Sequence, residues 1–191
     1  MEFEIVSLLV SRVRRYEGRP SEGTAPYDIR DELVDSARVR AHKGLVGDRY
    51  FGSRFAFATM TLIAAESIEQ LEREIAGDGL FPAANVPFDP ALARRNLVTR
   101  GLDVDSLART TFTLDAGRGP IRFRSMTPAN PCAWMNTVYA PGAHQALRGH
   151  GGIRCEPLDD GELSVGSATI TDIVPIPPEE LTRRIKAAPT S

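Results

Sequence analysis

A chain punctuated by 16 glycines and 14 prolines among 191 residues leaves little room for long helices. The breakers separate short β-rich runs. Many short strands joined by frequent turns predict a mostly β fold whose sheet closes into a barrel, since closure removes unpaired edges. The expectation is one domain over 1–191, with a core over about 3–174, a C-terminal helical tail over 175–191 and a few peripheral helices.

Residues 3–10, FEIVSLLV, read as a buried strand, and the basic stretch Ser11 to Arg19 ends that pattern. EGRPSEGTAPY (17–27) reads as a loop, as does the segment 78–90, and 39–52 carries too many breakers for a helix. Ala64, Ile68, Leu71 and Ile75 share one helical face, predicting an amphipathic helix from about Thr61 to Ala76 with Gly77 as its stop. The centre of 94–101 reads as a short strand. Strands are expected at Thr110–Leu114 and Ile121–Met126, where Ile121 and Phe123 alternate with Arg122 and Arg124. A short helix is expected over 141–148, β-runs over 151–158 and 162–174 about the turn Asp159-Asp160-Gly161, and a final helix over 179–187.

Charge and composition narrow the function classes. With 23 basic against 25 acidic side chains and a net charge of -2, no global field draws nucleic acid or an anionic membrane. No apolar run reaches bilayer length, and the opening MEFEIVSLLVSRVRR has acids where a secretory signal carries its positive cluster, so a cytoplasmic location is expected. Cys132 and Cys155 read as reduced thiols rather than a disulfide, and three histidines without CxxC or HExxH do not support zinc.

The segment Asn130-Pro131-Cys132-Ala133-Trp134-Met135-Asn136 sets a cysteine beside the lone tryptophan directly after a predicted strand. Proline removes a backbone donor and holds the preceding chain extended, which presents Cys132 on a fixed loop. A buried, inert cysteine is the alternative. For Cys155, inside a β-run, a core position is expected, and for Trp134 and Met135 a packing role. His150 reads as an exposed turn residue and Asp48-Arg49 as an ion pair fixing its loop. Arginines alternating along a strand are more often a solvated face than a pocket wall.

Five ordered segments, GLVGDRYFG (44–52), TLIAAE (61–66), RRNLVTRGLD (94–103), PCAWMN (131–136) and GGIRCEPLDDGELSVG (151–166), together resemble the MOSC domain, the family named for the C-terminal domain of molybdenum-cofactor sulfurase. The resemblance implies a strongly bent, mostly β barrel. It also implies a cysteine that either ligates molybdenum in a bound molybdopterin or carries sulfur as a persulfide. Cys132 matches that cysteine, Arg94 and Asn96 match the Arg-x-Asn signature along the pterin pocket, and Lys43 and Arg49 fall in or beside the Gly-x-x-Gly-Asp-Arg motif. Arg95, Arg122 and Arg124 are further candidates for cofactor phosphate or pterin edges, or for favouring a thiolate. The Lys-Ser pair found near the N-terminus of the mitochondrial amidoxime-reducing members has no match in Ser11-Arg12-Val13-Arg14-Arg15.

Three functions follow as expectations. The first is a small molybdenum-dependent oxidoreductase reducing N-hydroxylated or N-oxygenated small molecules, with Cys132 as metal ligand and an external electron donor, since no flavin or iron-sulfur motif is visible. The second is a sulfurtransferase or sulfur carrier with a Cys132 persulfide supplied by a separate pyridoxal-phosphate (PLP) cysteine desulfurase, there being no plausible PLP lysine site in this chain. The third is a non-catalytic cofactor-binding module.

Overall fold

The computed structural model describes residues 1–77 and 88–187. Its strands are β1 (Glu2–Leu8), β2 (Ser36–Arg40), β3 (Gly44–Leu45), β4 (Met60–Ala64), β5 (Leu97–Arg100), β6 (Thr110–Asp115), β7 (Pro120–Pro128), β8 (Ile153–Pro157), β9 (Gly161–Ser164) and β10 (Gly166–Pro175). Seven of them close a barrel in the order β1-β10-β6-β7-β8-β4-β5, with β5 returning to β1, and the small sheet β3-β2-β9 lies beside it. All barrel pairings are antiparallel except β4 with β5. That parallel step needs a crossover, which the helix α1 (Ala65–Gly77) begins.

Register shifts in β1 at Ile5/Ser7, in β7 at Ser125/Thr127 and in β10 at Thr171/Val174 bend the strands, so that a sheet of short segments can close. The interior follows from strand alternation. Phe112 and Leu114 of β6 and Ile121 and Phe123 of β7 point inward, and the rings of Phe112 and Phe123 stack with centroids 5.5 Å apart. A second apolar cluster lies outside the barrel. In it Ile68, Leu71 and Ile75 of α1 pack with Val98 and with Trp134 and Met135 of the short helix α2 (Trp134–Val138), and with Ala143 of α3 (Ala143–Ala146). The tail helix α4 (Pro178–Ala187) has Glu179 and Glu180 in its first turn, where the helix dipole favours them. Among the described residues no helix is long and apolar enough to cross a membrane.

Several expectations needed correction. The helix expected from Thr61 begins at Ala65. Residues 60–64 form β4, buried at every position between β5 and β8, and such a continuous apolar run has no period by which to separate strand from helix. Residues 36–45, of which 39–45 were expected only not to be helical, form the β2–β3 hairpin, turning through His42 at φ 60°. The single run expected over 162–174 divides into β9, which pairs with β2, and β10, which pairs with β1 and β6. The helix expected over 141–148 contracts to α3, while α2 was not anticipated. Most of the expected loop at 78–90 lies outside the described residues.

The two faces of β7 differ in what they contribute. Phe123→Ala should lower unfolding free energy by about 3–5 kcal/mol in urea titration, whereas Arg122→Ala, on the solvent face, should leave the midpoint nearly unchanged. Equal losses would contradict the assigned register.

Candidate functional site

Cys132 is exposed, four residues beyond the end of β7 and two before α2. The loop that carries it is pinned on both sides. Ala129 donates its N–H to the Gly152 carbonyl at 2.7 Å, and the Cys132 carbonyl accepts from Met135 at 2.9 Å. Trp134 and Met135, both buried, anchor the following helix, and Trp134 stacks on Tyr16 with centroids 5.4 Å apart. The close neighbour at 151–152 has to be glycine. A Cβ on Gly152, at φ 82°, would lie 1.9 Å from the Leu62 carbonyl oxygen, and one on Gly151 would lie 2.3 Å from that of Ala129.

Cys132 lines a cleft of about 260 Å³ together with Arg14, Arg15, Tyr16, Arg49, Tyr50, Arg94, Arg95 and Arg154 among others. Six guanidiniums therefore surround one thiol. Two larger grooves exist, of about 670 Å³ between Glu2, Glu4, Arg100 and Asp115 and of about 350 Å³ between Glu66, Asp103, Asp105 and His150. Neither contains a cysteine, and their largely acidic walls repel anions, so size is a poor guide here.

The cleft rests on a buried polar hub centred on Asn96, which is 0% exposed. Its Oδ1 accepts from the Thr61 N–H and Oγ1, each at 3.0 Å, and its Nδ2 donates to the Leu9 carbonyl at 3.2 Å and to Asp48 Oδ2 at 3.1 Å. Those four bonds use the amide's ordinary hydrogen-bonding capacity. Asp48 in turn accepts from the Ser11 and Tyr50 N–H groups and from Arg49 Nη1 at 3.2 Å. The expectation that Asn96 lies along the pterin pocket is thus corrected: its amide is consumed by the frame, where it ties the end of β1, the start of β4 and the Gly47–Arg49 turn together.

Arg94, two residues earlier, is 3% exposed and adopts a left-handed backbone at φ 54°. Its guanidinium pairs with Glu32 and donates to the Val13 carbonyl, while its own carbonyl accepts from Arg49 Nη2 at 2.8 Å. Glu32 also receives Arg15 Nε at 2.9 Å. Burial pushes the Glu32 carboxyl up, but the bonds from Arg94 and Arg15 outweigh it and hold the group below the ordinary range.

Arg95 differs from both. It is partly buried and donates only to carbonyls, from Nε to Gly151 at 3.0 Å, from Nη2 to Ala129 at 3.1 Å and from Nη1 to Ala93 at 3.4 Å. Burial lowers this guanidinium to about 10; repulsion from Arg154 adds to the shift and the Cys132 sulfur opposes it. It remains charged at neutral pH.

Three expected cofactor residues stand elsewhere. Lys43 is exposed beside Asp160 on the small sheet, Arg122 forms an exposed pair with Asp159 at 2.7 Å, and Arg124 pairs with Glu156 at 2.6 Å, none of them lining the Cys132 cleft. The β7 arginines point out of the barrel on a strand whose exit, not its middle, reaches the cleft. Cys155 is fully buried in β8, and burial raises its thiol far above the ordinary value. His150 Nδ1 lies 3.6 Å from Asp105 in a separate groove. Arg14, Arg15, Tyr16 and Arg154 were not singled out for the site from sequence; the signals were the basic run 12–15, which supplies cations from the segment lacking the Lys-Ser pair, and the place of Arg154 inside the segment 151–166.

With this geometry in place the comparisons carry weight. The MOSC domain family matches residues 42–169. The chain belongs to the MOSC-domain family. Among solved structures, the MOSC chain is similar to YuaD from Bacillus subtilis, with a TM-score of 0.62 and 16% identity over 89% of this chain and 94% of that one. It is similar also to YiiM from Escherichia coli, with a TM-score of 0.58 and 17% identity over 100% and 80%, and to YiiM from Geobacillus stearothermophilus, at 0.54 and 14% over 98% and 92%. At such identities the likeness shows the MOSC fold. No curated protein matches the sequence.

Glu32 gives the frame a pH signature. Its carboxyl is lowered in the folded state, so it contributes stability above the ordinary carboxylate range that is lost as pH falls through the lowered value. Glu32→Gln should cost about 3–5 kcal/mol at pH 7 by leaving Arg94 buried and unpaired. The difference from wild type in urea midpoint should shrink on acidification; a difference independent of pH would contradict the pairing.

Proposed function

We propose that this MOSC protein binds molybdenum cofactor in the arginine-lined cleft, with the Cys132 thiolate as metal ligand, and acts as a small reductase of N-hydroxylated or N-oxygenated compounds fed by an external electron donor. The observation that carries this reading is an exposed thiol at a cleft of six arginines and two tyrosines. The donor chemistry fits the group. Guanidiniums suit a phosphate, and a thiolate suits a soft metal site. Tyr16 and Tyr50 line the same cleft with their rings already engaged, Tyr16 on Trp134 and Tyr50 beneath the Arg14 and Arg49 guanidiniums, so they brace the cations rather than present free faces. The bound group would supply the redox centre. The chain would hold it, orient it and keep the metal-facing side open to a small substrate.

Exposure of Cys132 also favours a second reading, a persulfide carrier loaded by a separate PLP-dependent desulfurase, since a partner can reach this thiol directly. The cleft argues for the first, because carrying one sulfur atom does not require six cations beside it.

Protein made in a host that synthesises the cofactor should contain near-stoichiometric molybdenum by elemental analysis, and Cys132→Ser should lose most of it while unfolding at nearly the same urea concentration. Absence of metal with a sulfur-sized mass increment that vanishes on reduction would replace this reading by the carrier. Cofactor retained without reductase turnover would indicate a binding module instead.

A further inference from the structure

The six cleft arginines are not equivalent. Arg15 and Arg94 share Glu32, Arg49 pairs with Asp48 at 3.2 Å, and Arg14 lies 3.9 Å from Glu17. Arg95 and Arg154 have no carboxylate partner among the described residues: Arg95 donates to the carbonyls of Ala93, Ala129 and Gly151, and Arg154 Nη1 donates to that of Pro128 at 3.2 Å. Of the five N–H groups a guanidinium carries, Arg95 thus keeps two, and Arg154 four, without a protein acceptor among the described residues. Both line the cleft with Cys132, and the Arg154 charge is felt at Arg95 as repulsion. Two like charges held together by neutral carbonyls leave a deficit that a dianion would complete.

We infer that Arg95 and Arg154 form an oxyanion subsite beside Cys132, taking a phosphate-like dianion, while Arg94, Arg15 and Arg49 serve the frame. The inference rests on the cofactor reading only for the identity of the natural ligand; the subsite itself stands on the partnerless guanidiniums. Arg95 fixes its position because its carbonyl partners Ala129 and Gly151 belong to the two loops that converge at Cys132. The same field favours any anionic reagent approaching the thiol.

The test uses the full chain made without cofactor, so that Cys132 is uncapped, and compares its alkylation by anionic iodoacetate and neutral iodoacetamide, read by intact mass. Cys155, fully buried, stays unlabelled. The iodoacetate-to-iodoacetamide rate ratio should fall roughly three- to tenfold in Arg154→Gln, the effect of one charge several ångströms away, and should hold in Arg154→Lys and in the distant control Arg122→Gln. Inorganic phosphate should slow iodoacetate labelling of the wild type and not of Arg154→Gln. Protection by phenyl phosphate at lower concentration than by inorganic phosphate would mark the anion as the end of a larger ligand, and equal protection would mark a free oxyanion; either supports the subsite. A ratio unchanged in Arg154→Gln, or wild-type labelling indifferent to both phosphates, would overturn it. Because no molybdenum is involved, a subsite that passes this test while the protein takes up no metal would separate this inference from the cofactor reading.

Discussion

The structure depends on a fully buried asparagine. Asn96 joins the end of β1 through Leu9, the start of β4 through Thr61 and the Gly47–Arg49 turn through Asp48, beside a direct backbone bond from Arg49 to Ser11. A buried amide with all four bonds made is stable and demanding, because loss of any one bond leaves a desolvated group. That demand fixes the direction of the chain on either side. Leu97 to Arg100 continue into the barrel as β5, while Arg94 and Arg95 are left at its mouth.

The mouth then separates two kinds of cation. Arg94 and Arg15 share the one carboxylate of Glu32, and Arg49 pairs with Asp48, so these guanidiniums are tied into the frame and hold backbone in place, including the left-handed turn at Arg94. Arg95 and Arg154 are held by carbonyls and keep their full charge. An exposed thiol set against such groups is a place where a sulfur anion, a phosphate and a soft metal are all accommodated by ordinary electrostatics. The outer apolar cluster of α1, α2 and α3 supports the same loop from behind, with Trp134 wedged on Tyr16.

Much of the architecture was legible because its signals are local. Alternation in β6 and β7, the Gly/Pro punctuation and the Pro-Cys pair next to tryptophan all act over a few residues. The misreadings arose where a local signal is degenerate or distant. Residues 60–64 are apolar throughout, so burial on both faces erased the period that separates strand from helix. Arg122 and Arg124 were cofactor candidates for their charge although alternation favoured a solvated face, and alternation says which side of a sheet they occupy and not which end. Arg15 and Arg154 reach one cleft, and Arg94 reaches Glu32, only in the folded chain, across separations no short window spans. The Arg-x-Asn pair was recognisable as a motif, but only the hydrogen-bond inventory around Asn96 shows that its amide serves the frame.

X-ray absorption at the molybdenum edge, on protein from a cofactor-producing host, tests the central claim most directly. If Cys132 is the metal ligand in this cleft, the wild type should show one sulfur neighbour more than Cys132→Ser protein carrying residual cofactor. Identical sulfur coordination in the two would contradict it, and would place the metal away from this thiol.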